Sequence, residues 1–235
     1  MKTVVALALV TVSFLATATR AKERKLDPQS NLIEFHMALL KRGPKWSADP
    51  NKDATVLQQH HVAYVQSLLA SGKAVIAGPL KDDGEIQAVC IFRAKSADEA
   101  RTWVMADPAV SGGQFVPEMH PWLSEDVMKP ATSLQKVSTA YLAFLTRGPK
   151  WTPEQTPALE ELQKAHIANI QRLAAMKKLV VAGPFGDDGN LRGILVFRVG
   201  SLEEAKELAA TDPAVQAGRL ALDIHPWVVP EGVLP

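Results

Sequence analysis

One arrangement of residues occurs twice in this chain of 235, the second copy lying 105 positions after the first. Arg42-Gly43-Pro44-Lys45-Trp46 returns as Arg147-Gly148-Pro149-Lys150-Trp151, and Ala77-Gly78-Pro79 as Ala182-Gly183-Pro184. Asp82-Asp83-Gly84, Asp107-Pro108-Ala109-Val110 and His120-Pro121-Trp122 return in the same register, as does His61 at His166. Residues 35–122 lie on 140–227 without a gap, and about 35 of the 88 positions are identical. The folding unit is therefore a module of about 90 residues, and any site built in one copy is expected again in the other. A module of that size is marginal alone, which predicts that the copies pack against each other.

Each module reads as β-α-β-β-α-β. Phe35–Leu40 and Tyr141–Leu145 are apolar runs stopped by Arg-Gly-Pro, hence first strands. Residues 53–71 and 157–176 carry apolar side chains at helical spacing, among them Leu57, His61, Val65 and Leu68 in the first copy. Lys73–Pro79 is a second strand, Asp82-Asp83-Gly84 a hairpin-type turn, and Ile86–Arg93 a third strand. Ser96 with Glu99, and Ser201 with Glu204, form capping boxes that open a second helix, which ends before Asp-Pro. Gly78-Pro79 and Gly183-Pro184 read as strand-end turns. This is the split βαβ of a ferredoxin-like sandwich, whose sheet has helices on one face and a bare face on the other. The fold class is α+β: two ferredoxin-like modules packed sheet to sheet as an intrachain pseudo-dimer. The divisions are module 1 over residues 32–123, a linker over 124–138, and module 2 over 139–229.

Residues 1–21 stand apart. Met1-Lys2, the apolar stretch Val4–Ala18 and small residues near Ala21 are laid out like a secretory signal peptide, which predicts a periplasmic or secreted mature chain with no membrane attachment after cleavage. Net charge is +1 without a clustered basic face, which argues against nucleic acid as a partner. Cys90 is the single cysteine, so no internal disulfide forms; it lies on an apolar strand and reads as buried filler.

Several repeated side chains can carry chemistry, and each also has a structural reading. His61 and His166 lie on the apolar stripe of their helices, either as core histidines or as general acid/base groups facing a pocket. Asp107 and Asp212 either cap the turn after the second helix or orient the histidines. Arg42 and Arg147, beside Trp46 and Trp151, suit a carboxylate-bearing or planar ligand, or else belong to a solvated turn. Trp122 and Trp227 read as seals of the interface between copies. No Ser or Cys nucleophile accompanies these motifs. His120 and His225 lack further ligands at metal spacing, and nothing in the sequence requires a metal or an organic cofactor.

In order and spacing, Gly-Pro-Lys-Trp, a helical His, Ala-Gly-Pro, Asp-Asp-Gly and Asp-Pro-Ala-Val resemble the YCII-related domain family of the dimeric α+β barrel superfamily. The resemblance covers both modules and implies the fold that the element order gives independently. It also implies a candidate catalytic His–Asp pair, matched here by His61 with Asp107 and His166 with Asp212. Substrate contacts are expected from Arg42, Trp46, Arg147 and Trp151. The expected function is an exported protein that binds a small anionic or planar organic molecule, with acid–base chemistry of isomerase or lyase type. The alternative is a non-catalytic binding or interaction protein on the same scaffold. The two modules pair with each other, leaving the chain a monomer or a unit of a higher homo-oligomer.

Overall fold

The computed structural model describes residues 31–47, 52–131 and 134–235. The expected signal segment, residues 1–21, lies outside the described residues. In chain order the first module contains β1 (Leu32–Arg42), α1 (Lys52–Ala70), β2 (Ala74–Pro79), β3 (Ile86–Phe92), α2 (Ala97–Met105), α3 (Pro108–Ser111) and β4 (Phe115–Glu125). The second contains β5 (Val137–Arg147), α4 (Pro157–Ala175), β6 (Leu179–Pro184), β7 (Leu191–Phe197), α5 (Leu202–Ala209), α6 (Pro213–Gln216) and β8 (Leu220–Pro230). Each forms a four-stranded antiparallel sheet, in the orders β2-β3-β1-β4 and β6-β7-β5-β8. The α+β class and the ferredoxin-like order are as expected.

Local chemistry sets the boundaries. The Ser96 and Ser201 hydroxyls accept from the backbone N–H of Glu99 and Glu204, satisfying an orphan donor at the first turn of α2 and α5. The reciprocal carboxylates reach one residue further back than in the usual box, accepting from Lys95 and Gly200 N–H. Gly72 leaves α1 at φ 72°, and Lys177 takes the corresponding place at φ 57° after α4. Asp-Pro does not simply end the second helix. Asp107 and Asp212 are N-caps of the extra short helices α3 and α6, with Pro at the first helical position where no N–H is needed. The last strand also runs through His-Pro-Trp to Glu125 and Pro230, so both ends of the expected linker lie in strands.

Alternation along the strands divides the interior. Ala143, Leu145, Leu195 and Phe197 face α4 and α5 in one apolar cluster. Their neighbours Leu142, Phe144, Ile194 and Val196 join Phe35, Met37 and Leu39 of the first module in another, so the bare faces of the two sheets cover each other.

The sheets also meet at their edges. Leu80 of the first module bridges Trp227, and Trp122 bridges Phe185. The N–H of Lys81 donates to Pro226 O at 2.8 Å, and that of Gly186 to Pro121 O at 2.7 Å. N–H and C=O of one strand residue point the same way, so the N–H that Pro121 and Pro226 lack is on the seam side and costs no bond within the sheet. Trp122 and Trp227, both fully buried, donate their indole N–H to Gly183 O and Gly78 O, each at 3.1 Å. Gly78 and Gly183 are thus strand residues at the closest approach of the modules, not turn residues. A Cβ on Gly78 would lie 1.7 Å from Val228 O, and one on Gly183 1.8 Å from Leu123 O. Among the described residues no helix is long and apolar enough to cross a membrane.

Candidate functional site

The helical stripe of α1 turns His61 inward, and the break between α2 and α3 brings Asp107 to meet it. His61 Nδ1 lies 3.0 and 2.8 Å from the two Asp107 oxygens. Oδ1 of Asp107 also accepts the Ala109 N–H at 2.8 Å. Capping and orienting, posed as alternatives by the sequence, are therefore done by one carboxylate at once. In the second module His166 Nδ1 is 2.6 Å from Asp212 Oδ2, while Oδ1 of Asp212 accepts the Ala214 N–H at 2.8 Å. All four side chains are buried. An ionised carboxylate only accepts, so the ring nitrogen that faces it, Nδ1, is the donor, and Nε2 is the end turned away from the aspartate.

In the first module the His61 ring borders a cavity. A cavity of about 450 Å³ is walled by α1 at His61 and Val65, by β2 and β3 from Ala77 to Cys90, by Trp46 and Phe115, and by Val137, Val228 and Pro230 of the second module. His61 stands edge-on to Phe115 with ring centroids 5.5 Å apart, and Trp46 packs on the same Phe115 at 5.8 Å. Besides His61, the polar groups of the wall are neutral amides, Gln58, Gln87 and Gln114, and none of the described residues that line it is Asp, Glu, Lys or Arg. Gln114 is buried, and its Oε1 has no hydrogen-bond partner among the described residues. A buried acceptor left unpaired in a native wall calls for a partner. Burial pushes the Cys90 thiol up to about 12, so at neutral pH it is a neutral part of the wall.

Of the other expected site residues, Trp46 lines this cavity and Arg42 does not. The Arg42 guanidinium lies 5.4 Å from the Trp46 ring centroid and donates to Asp83 O at 3.2 Å. Arg147 repeats the arrangement, 5.2 Å from Trp151 and donating to Asp188 O at 2.6 Å. The amides were missed because the sequence reading followed what the two copies share. The signal lay in how they differ: Gln87 and Gln114 correspond to Arg192 and Arg219.

His120 and His225 serve the seam. His120 Nδ1 meets Asp187 of the other module at 2.7 Å and its Nε2 meets Glu118 at 3.0 Å; His225 is set in the same way between Asp82 and Asp223. The Asp82 and Asp187 turns thus reach across to the opposite copy, a contact that local sequence does not reveal. Among the described residues no group of His, Cys, Asp and Glu is arranged to hold a metal ion.

The sequence model of the YCII-related domain matches residues 15–122 and again 139–228. The chain belongs to the YCII-related domain family. An uncharacterized member-length relative, YjpA of Bacillus subtilis (strain 168), is 37% identical over 76 residues, 31% of this chain and 87% of its own length. Among solved structures, a chlorite dismutase from Candidatus Nitrospira defluvii in complex with imidazole is similar at a TM-score of 0.53 and 12% identity, covering 85% of this chain and 92% of that one. A heme-binding protein from Thermus thermophilus is similar at 0.54 and 13%, covering 88% and 95%. At these identities the likeness is one of fold: a single YCII chain with two modules spans nearly the whole of those proteins.

Proposed function

We propose that this YCII protein binds a small, neutral, planar or largely apolar molecule in the cavity of its first module, and that His61 acts on it as a general base. One observation carries the reading: an imidazole fixed by a buried carboxylate opens on an uncharged cavity of about 450 Å³. That volume is ordinary for a small-molecule site. Among the acceptors of the wall are His61 Nε2 and the unpaired Gln114 Oε1, which suit a ligand with O–H or N–H donors. Its proton passes to Nε2, and Asp107 stabilises the imidazolium through Nδ1–H. Isomerisation or elimination needs no more than such a base and a shaped cavity. The layout of residues 1–21 supports export of the mature chain. A haem does not fit the residues present: His61 is an available imidazole, but the described lining supplies no cation for the propionates.

A non-catalytic carrier is the second reading, favoured by the capping bonds of Asp107 and Asp212, which give the carboxylates a structural task in both copies. Two probes separate them. Phenol, neutral and planar with one donor, reports binding by calorimetry. A nitrobenzisoxazole reports the base: loss of its ring C–H proton forms a nitrile as the N–O bond breaks, leaving a coloured phenolate. The catalytic reading expects phenol to bind, and ring opening to be accelerated by the parent and by His166→Asn but not by His61→Asn. Phenol binding without acceleration leaves the carrier; no phenol binding overturns both.

A further inference from the structure

The copies differ at residues that line the cavity of the first module. At the positions of Gln87 and Gln114 the second module has Arg192 and Arg219, and Leu220 stands for Phe115. The guanidinium carbons of Arg219, Arg192 and Arg147 lie 4.4, 4.8 and 5.2 Å from the centroid of one ring, that of Trp151. Since Gln87 and Gln114 face one cavity in the first module, their counterparts point to the same place in the second. Three positive charges are gathered there. Arg219 reaches the Thr152 hydroxyl at 3.4 Å and Arg147 a backbone carbonyl at 2.6 Å, both neutral acceptors. Among the described residues neither forms a salt bridge. Arg192, whose side chain is only 8% exposed, touches the Asp187 and Gly189 carbonyls and lies 3.9 Å from Asp188 Oδ1.

We propose that the second module holds an oxyanion site of its own, formed by Arg147, Arg192 and Arg219 around Trp151, for a small carboxylate or phosphate. Like charges brought around one indole repel, and an anion among them removes the repulsion. A guanidinium has five N–H donors, of which the contacts above use one in Arg147 and one in Arg219, and its planar fork suits the paired oxygens of a carboxylate or phosphate. Trp151 holds the forks in place by stacking. The chain on this reading carries two sites of opposite preference, an uncharged cavity in the first copy and a cationic cluster in the second. This inference rests on the arginine cluster and is independent of the base chemistry assigned to His61.

The test titrates benzoate and inorganic phosphate into the full chain by calorimetry at low salt. Arg219→Gln and Arg192→Gln install the first module's own residues, and Arg147→Gln alters an exposed side chain and so keeps the fold intact. At least one oxyanion is expected to bind the parent and to weaken about tenfold or more in Arg219→Gln and in Arg147→Gln, while Arg42→Gln in the first module leaves it unchanged. Binding should also weaken as salt is raised. Failure of both oxyanions to bind the parent, or undiminished affinity in Arg147→Gln, overturns the site. Phenol binding is followed in the same samples: its loss with oxyanion binding retained strikes only the cavity of the first module, and the converse strikes only the arginine site.

Discussion

Gly78→Ala adds one methyl group at the seam between the modules, and its consequence can be worked from the contacts there. The new Cβ would sit 1.7 Å from Val228 O and 2.9 Å from Val228 C, backbone atoms that cannot rotate aside. Reaching ordinary contact, about 3.4 Å, requires β2 to retreat by roughly 1.7 Å from β8. That movement breaks the Trp227 indole bond to Gly78 O and the Lys81 bond to Pro226 O, each contributing about 0.5–1.5 kcal/mol net. Overpacking adds about 1–3 kcal/mol. The sum is about 2–6 kcal/mol, a large part of the ~5–15 kcal/mol that holds a domain folded. Gly183→Ala should match it, since its Cβ would be 1.8 Å from Leu123 O. Gly72→Ala is the control: nothing lies within 4 Å, and only the φ of 72° is unfavourable, costing about 1–2 kcal/mol. Urea unfolding followed by tryptophan fluorescence suits the purpose, because Trp122 and Trp227 are both in the seam. If Gly78→Ala costs no more than Gly72→Ala, the edge-closed arrangement of the modules is wrong.

Other outcomes follow from the same interactions. Lys177→Gly, which gives the end of α4 the residue that ends α1, should stabilise the chain by about 0.5–1 kcal/mol in urea unfolding, because φ 57° strains a side chain there. Cys90 should react with iodoacetamide at pH 8 at least about tenfold more slowly in the folded chain than in urea, since burial holds its thiol protonated. His36 is held below its usual 6.5, chiefly by burial, against the upward pull of Glu34 and Glu99. Its folded pKa is depressed, so its contribution to stability is present above pH 6.5 and lost as pH falls through the lower folded value. His36→Tyr, the residue at the equivalent position 141, should flatten that acid limb of stability against pH.

The fold was largely legible because its signals are local. Arg-Gly-Pro stops, the helical spacing around His61 and His166, and the Ser–Glu capping pairs each define an element within a few residues, and the repeat states them twice. What escaped was either short or distant. Asp107-Pro108 looked like a helix end because Pro stops a helix, but Pro equally well starts one, and α3 is only four residues long. The seam joins residues far apart in the chain, such as Trp122 with Gly183, 61 positions apart, and Gly78 with Trp227, 149 apart, and no periodicity records such pairs. A Gly-Pro pair at a strand end suggests a turn, but at Gly78 and Gly183 the missing side chain matters for space and not for φ. The His–Asp pairing was legible through family resemblance, since 46 residues separate His61 from Asp107. Gln114 was not, because an amide has no spacing signature and only its replacement by Arg219 in the second copy sets it apart.

In the proposed reaction His61 offers its Nε2 to the ligand in the cavity while Asp107 holds Nδ1–H. Long-range nitrogen–proton NMR of the imidazoles at pH 8, with and without phenol, tests it most directly. The prediction is an Nδ1–H tautomer for both His61 and His166, with the Nε2 resonance of His61 moving as phenol is added and that of His166 staying in place. An Nε2–H tautomer at His61, or a His61 resonance indifferent to phenol, would contradict it.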